Sequence, residues 1–206
     1  MPQHTYTCTV FAVKNEDSVF VGRNFDRDRA SGKVWFVPKS GRHNGYVIVE
    51  QLGNNRPYEG MNDKGLFVAF AMVSPKKLKF SLFKKKISSP KLIKKILEKC
   101  STVEESIHLI PKYQVLWGQA FGYPQNHYLI AVKTGDFVIV EYLEDGITFI
   151  RPQKQYCIIT NFHISTGNKY LCRRYRKVEN ELLSIKSITG ERVKKILDKV
   201  ANSFTI

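Results

Sequence analysis

Residues 8–28 read CTVFAVKNEDSVFVGRNFDRD. Two apolar runs, 8–14 and 18–25, flank the polar Asn15-Glu16-Asp17, a pattern that predicts an antiparallel hairpin. Working outward, residues 34–38 (VWFVP) and 46–52 (YVIVEQL) are strand candidates bounded by glycine-bearing polar turns. Asn62-Asp63-Lys64-Gly65 makes the next turn, and residues 66–73 (LFVAFAMV) suit a strand covered on both faces. Segments 127–133, 136–143 and 147–151 are separated by Thr134-Gly135 and Asp145-Gly146, which predicts a meander. A further strand is expected over 156–161 (YCIITN).

Helical periodicity replaces this alternation twice. Residues 91–100 (KLIKKILEKC) place Leu92, Ile93, Ile96 and Leu97 on one face. Ser101-Thr102-Val103-Glu104 fits a capping box in which Ser101 caps and Glu104 reaches back. The helix so opened, 102–110, ends at Pro111. Two more helices are expected over 169–184 and 190–202. Strands, two helices, strands and two helices predict an α+β layered architecture of antiparallel sheets covered by helices.

The 206 residues suit one domain, and 43% hydrophobic with 25% charged residues argues against disorder. The formal charge of +15 concentrates in a lysine-rich insertion at about 75–100, where ten lysines face the single acid Glu98. Such a stretch could serve as a basic binding module through Lys76 to Lys99 for nucleic acid or anionic surfaces. Only Phe80 and Phe83 interleave it, which argues against nucleic acid. Cys8, Cys100, Cys157 and Cys172 include no C-x-x-C pair, so no metal site is expected. No secretory signal and no membrane-length apolar run occurs. A cytoplasmic protein with free thiols is the expectation.

Cys8 alone, at the start of an apolar strand, reads as a core thiol. Gly22-Arg23-Asn24-Phe25-Asp26 places Arg23 and Asp26 on its hairpin partner, where they could approach it across the ladder or form a surface ion pair. Asn161 ends a strand as an amide or as a cap. Arg174 sits early in the following helix. His163 admits a Cys–His pairing, and Asn62 either shapes its turn or touches substrate.

The opening segment, EGMNDKGL at 59–66, TNF at 160–162 and the Arg-Arg-Tyr-Arg run at 173–176 together resemble the choloylglycine hydrolase and penicillin V acylase family. These are linear-amide C–N hydrolases of the N-terminal-nucleophile superfamily. The resemblance implies a four-layer αββα sandwich, no cofactor and a small-molecule acyl-amide substrate. It makes Cys8 the nucleophile, Arg23 and Asp26 its partners, Asn161 an oxyanion-hole donor and Arg174 a second active-site arginine. The free α-amine of an N-terminal cysteine, with a pKa of about 7.7–8, would serve as base. Asp26 would orient that amine, and the arginines would favour the thiolate.

Three departures shape the expectation. Thr7 precedes Cys8, so residues 1–7 must be removed, by autoprocessing or trimming, leaving 8–206 as the working domain. Met72, which has no side-chain donor, falls where the family's other oxyanion residue is expected. The family continues into further strands, so the sheets here are expected to lack C-terminal strands, and a partner chain, as in a homo-oligomer, is one cover for the edge. The alternative to an active enzyme is an inactive or truncated relative.

Overall fold

A computed structural model of the chain describes residues 7–26, 32–51, 57–74, 76, 81, 83–116, 126–184 and 187–201. The expected leader, apart from Thr7, and positions 75, 77–80 and 82 of the lysine-rich insertion lie outside these residues.

The hairpin forms as read. β1 (Thr7–Lys14) and β2 (Val19–Asp26) pair antiparallel, with Cys8 opposite Phe25 and Val10 opposite Arg23. β3 (Gly32–Val37), β4 (Tyr46–Gln51), β5 (Pro57–Asn62) and β6 (Leu66–Met72) follow. Next come β7 (Lys85–Ser88), α1 (Ser89–Lys99), α2 (Val103–Leu109) and β8 (Tyr113–Leu116). β9 (Asn126–Val132), β10 (Phe137–Leu143) and β11 (Gly146–Ile150) make the meander. β12 (Tyr156–Ile159), α3 (Arg173–Ser184) and α4 (Gly190–Val200) complete the order.

Two antiparallel sheets stack face to face. The small one has the order β12-β1-β2, and the large one β11-β10-β9-β6-β5-β4-β3. Alternation along β1 explains why its sequence is almost continuously apolar. Cys8, Val10 and Ala12 pack with Ala69, Ala71 and Leu129 of the large sheet. Phe11 and Val13 pack with Val178, Leu182, Val193 and Ile196 of α3 and α4. A third core lies between the other face of the large sheet and α1, built on Leu92, Ile93, Ile96 and Leu97. Three cores separate four layers, the αββα sandwich that the sequence implied.

Close approaches hold the layers in place. A Cβ on Gly60 would sit 2.6 Å from Leu97 Cδ1 and 2.5 Å from Val47 O, so glycine lets α1 lie directly on β5. Asn62, the residue expected to shape a turn or touch substrate, also anchors α1. Its Nδ2 donates to Leu97 O (2.9 Å) and Cys100 O (2.7 Å), while Oδ1 accepts from the backbone N–H groups of Lys64 and Leu66. All its side-chain hydrogen-bonding groups are therefore used by the fold, as the turn-shaping alternative requires.

Four local expectations shift. β5, β7 and β8 were not read from the sequence; β7 and β8 are four-residue strands paired in parallel, too short to show alternation. The cap of α2 is Thr102, which accepts from Glu105 N, while Glu105 accepts from Ser101 N, one residue later than expected. The first turn of the helix expected from residue 169 is a 3-10 turn, Lys169–Leu171. On α1, Lys91, Lys94 and Lys99 face solvent while the aliphatic residues are buried, so that part of the lysine-rich zone is the wet face of an amphipathic helix.

Candidate active site

The end of the sandwich where β1 begins and β12 ends gathers the chemistry. Val10 pairs with Ile159, and continuing that antiparallel register brings Asn161 beside Cys8. The backbone nitrogen of Cys8 donates to Asn161 Oδ1 at 2.8 Å. Asn161 Nδ2 donates to Met72 O at 2.8 Å. Arg174 donates through Nη2 to Asn161 Oδ1 (2.8 Å), through Nη1 to Thr9 Oγ1 (3.1 Å), and through Nη1 to the carbonyl of Cys8. A guanidinium only donates, so the atom it meets on Asn161 must be oxygen, which fixes the amide's orientation. One side chain thus ties β1, β6 and the start of α3 together.

The Cys8 side chain is fully buried and points between the sheets. Arg23 shares that face. Its Nη1 donates to Tyr58 O (2.9 Å) and pairs with Glu59 Oε2 (3.2 Å), and its guanidinium lies over the Phe25 and Phe70 rings. Only 6% of the Arg23 side chain is exposed, yet Nε and Nη2 have no hydrogen-bond partner among the described residues. Buried donors left open cost about 1–3 kcal/mol each.

Asp26 lies opposite Thr7, and Thr7 Oγ1 donates to its Oδ2 at 3.2 Å. With Thr7 attached, the Cys8 amide nitrogen is held by Asn161; the task expected of Asp26 concerns the free amine. Met72 enters only through its carbonyl; its side chain packs on the α1 side of the large sheet. That position therefore supplies an acceptor for Asn161. His163 donates from Nε2 to Ser74 O at 3.0 Å, so that ring nitrogen is engaged by the chain beyond β6.

Three acidic and basic residues at this end were missed. Glu59 went unseen because β5 itself was not read. His127 and Glu141 sit in apolar strands, HYLIAV and FVIVEY, where a lone polar residue facing inward was the available signal. His127 Nε2 meets Thr160 O (2.8 Å) and Nδ1 meets Glu141 Oε1 (3.3 Å). Burial pushes the Glu141 carboxyl up, but hydrogen bonds from His127, Ser165 and the backbone N–H groups of Ile164 and Ser165 outweigh it and hold it at about 2.

The sequence matches the family described as linear amide C–N hydrolases, choloylglycine hydrolase family, over residues 8–194, so the match opens on Cys8 itself. The chain belongs to that family. It is therefore a hydrolase of linear amide C–N bonds. No curated protein matches it significantly by sequence. Its fold is that of N-terminal-nucleophile hydrolases. Penicillin V acylase from Agrobacterium tumefaciens superposes with a TM-score of 0.73 at 18% identity, covering 97% of this chain and 74% of that one. A conjugated bile acid hydrolase from Clostridium perfringens gives 0.69 at 16%, covering 94% and 79%. The Caenorhabditis elegans ortholog of N-acylethanolamine-hydrolyzing acid amidase gives 0.64 at 14%, covering 92% and 85%.

Among the described residues, no group of His, Cys, Asp and Glu is arranged to hold a metal ion, and no helix is long and apolar enough to cross a membrane. The hydrolase has four free cysteines. Burial pushes the Cys100 thiol up to about 11 and the Cys157 thiol up further, so neither is a ready thiolate at neutral pH.

Proposed function

We propose that this hydrolase uses Cys8 as its nucleophile, after residues 1–7 have been removed, to cleave the amide of an acylated amine or amino acid through a thioester. The observation that carries the reading is the 2.8 Å bond from Cys8 N to Asn161 Oδ1. The nitrogen that must become the catalytic amine is already oriented before it is freed.

In the first step the Cys8 thiol attacks the Thr7 carbonyl carbon, and the Thr7 acyl group moves from nitrogen to sulfur. Water then hydrolyses this thioester, releasing Thr7 as a carboxylate and leaving a free α-amine on Cys8. That amine is partly unprotonated near neutral pH, with a usual pKa of about 7.7–8, and takes the thiol proton in later turnovers. Asp26, which has lost Thr7, is then the carboxylate facing the position Thr7 has left, one step along the ladder from Cys8.

In turnover the thiolate attacks the substrate carbonyl. One hydrogen of Asn161 Nδ2 is committed to Met72 O, which leaves the second for the developing oxyanion; such a donor contributes about 10²–10³ in rate. The amine gives its proton to the departing amine product, and water releases the acid from the thioester. Arg174 acts by holding Asn161 and the Cys8 carbonyl. Arg23 offers its two open donors beside the Phe25, Tyr58 and Phe70 rings, a setting for a polar group next to an apolar acyl chain. The structural neighbours are named as a penicillin V acylase, a conjugated bile acid hydrolase and an N-acylethanolamine-hydrolyzing acid amidase ortholog, which supports an acyl-amide substrate class.

Intact-mass analysis of the purified chain is the test. The expected mass lacks residues 1–7, and brief exposure to an activated acyl substrate adds one acyl group at Cys8. A chain that keeps its leader and turns over no acyl amide is an inactive relative, and the proposal is then wrong.

A further inference from the structure

Beneath Asn161 lies a buried polar unit that the mechanism above does not use. His127 of β9 and Glu141 of β10 are both fully buried on the inner face of the large sheet. They bond almost entirely to one irregular segment, residues 160–165. His127 Nε2 meets Thr160 O, immediately before Asn161. Glu141 Oε1 accepts from Ile164 N at 2.5 Å, and Oε2 accepts from Ser165 N at 3.1 Å and from the Ser165 hydroxyl. His163 of the same segment reaches Ser74 O, two residues beyond the Met72 carbonyl that Asn161 binds.

Both groups that the ring meets are acceptors in the fold: Thr160 O on the Nε2 side, and on the Nδ1 side the Glu141 carboxylate, which takes three further donors. His127 and Glu141 both have 0% side-chain exposure. For cohesion alone, an apolar pair would serve as well or better, because desolvating two charges offsets much of their attraction. A charged pair does what an apolar pair cannot: it satisfies the N–H and C=O groups of a segment with no regular structure.

We propose that the His127–Glu141 pair is a positioning unit for Asn161, fixing residues 160–165 on the large sheet so that Asn161 spans Cys8 N and Met72 O. The catalytic part of this inference rests on the role given to Asn161 above. Glu141→Gln is the informative change. It keeps an acceptor for the segment but turns charge-assisted bonds into neutral ones, roughly half as strong, and presents an amide donor to His127.

Three measurements decide the matter. In the Cys8→Ala chain, which keeps the leader, hydrogen exchange at the residue 8 amide reads the bond to Asn161 directly. Glu141→Gln is expected to lower its protection about tenfold while the circular dichroism spectrum stays native. Ring nitrogen chemical shifts of His127 are expected to show two protons in the parent and one in Glu141→Gln. In the active chain, Glu141→Gln is expected to lower kcat by up to about 10²-fold, the scale of small misplacements, with KM within about twofold. In an Asn161→Ala background the same change should have no further effect on kcat. Unchanged residue 8 protection, a singly protonated His127 in the parent, or a full additional loss in the Asn161→Ala background each overturns the proposal. If the parent turns over no acyl amide, the role of Asn161 fails, but exchange and ring shifts still decide the positioning. The parent's ring shifts need no variant, so a misfolded Glu141→Gln chain leaves that readout standing.

Discussion

Cys8 N and Asn161 Oδ1 are 2.8 Å apart, although 153 positions separate them in the chain. The bond lies at the point where β1 and β12 meet, and it joins the two groups whose geometry the chemistry needs most. Asn161→Asp keeps the oxygen that holds the amine but removes the Nδ2 donor. It is expected to process its leader and then to lose about 10²–10³ in kcat. Asn161→Ala removes both and is expected to slow processing as well. Intact mass and steady-state kinetics on the same preparations separate the two effects.

Cys8→Ala is expected to retain residues 1–7 and to show no turnover, because nucleophile and base are lost together. Cys8→Ser keeps a weaker nucleophile and should process over a longer time. A Cys8→Ala chain that is shortened to residue 8 would show that a separate protease removes the leader.

Arg23 and Glu59 form a largely buried pair at 3.2 Å, with side-chain exposures of 6% and 17%. Removing one partner strands the other, at about 3–5 kcal/mol for a buried pair. Arg23→Met is therefore expected to lower the denaturation midpoint more than the double variant Arg23→Met/Glu59→Met does. Neither is expected to turn over substrate, since both remove the open Arg23 donors. Urea melts and activity assays check both halves.

The Glu141 carboxyl is held at about 2 in the folded chain against about 4.3 unfolded. A depressed folded value means that its stabilisation is full above about pH 5 and is lost as pH falls toward 2. The size is about 3 kcal/mol at neutral pH. The stability gap between the parent and Glu141→Gln should therefore narrow steadily between pH 5 and 2. A gap constant over that range contradicts the ionised, hydrogen-bonded carboxylate.

Asn62→Ala removes the two donors to the end of α1 and leaves the Lys64 and Leu66 N–H groups without their acceptor. A loss of about 2–4 kcal/mol is expected, with KM unchanged in the folded fraction. A raised KM with unchanged stability would instead place Asn62 at the substrate.

The sequence by itself determined the layer order, the hairpin, the meander and the family. Those features rest on periodicity, turn chemistry and motifs such as residues 8–28, all of which are local. Cys8, Arg23, Asn161 and Arg174 were legible because they lie in such motifs. Tertiary structure alone decided who meets whom. Asn161 holds the Cys8 amide nitrogen, Glu59 pairs with Arg23, and Met72 contributes a carbonyl. Strand register and the stacking of one sheet on another set these contacts, and neither is written in any short stretch of chain. The same reason hid His127 and Glu141. Each is a single polar residue in an apolar strand, and only the folded sheet brings them together under residues 160–165.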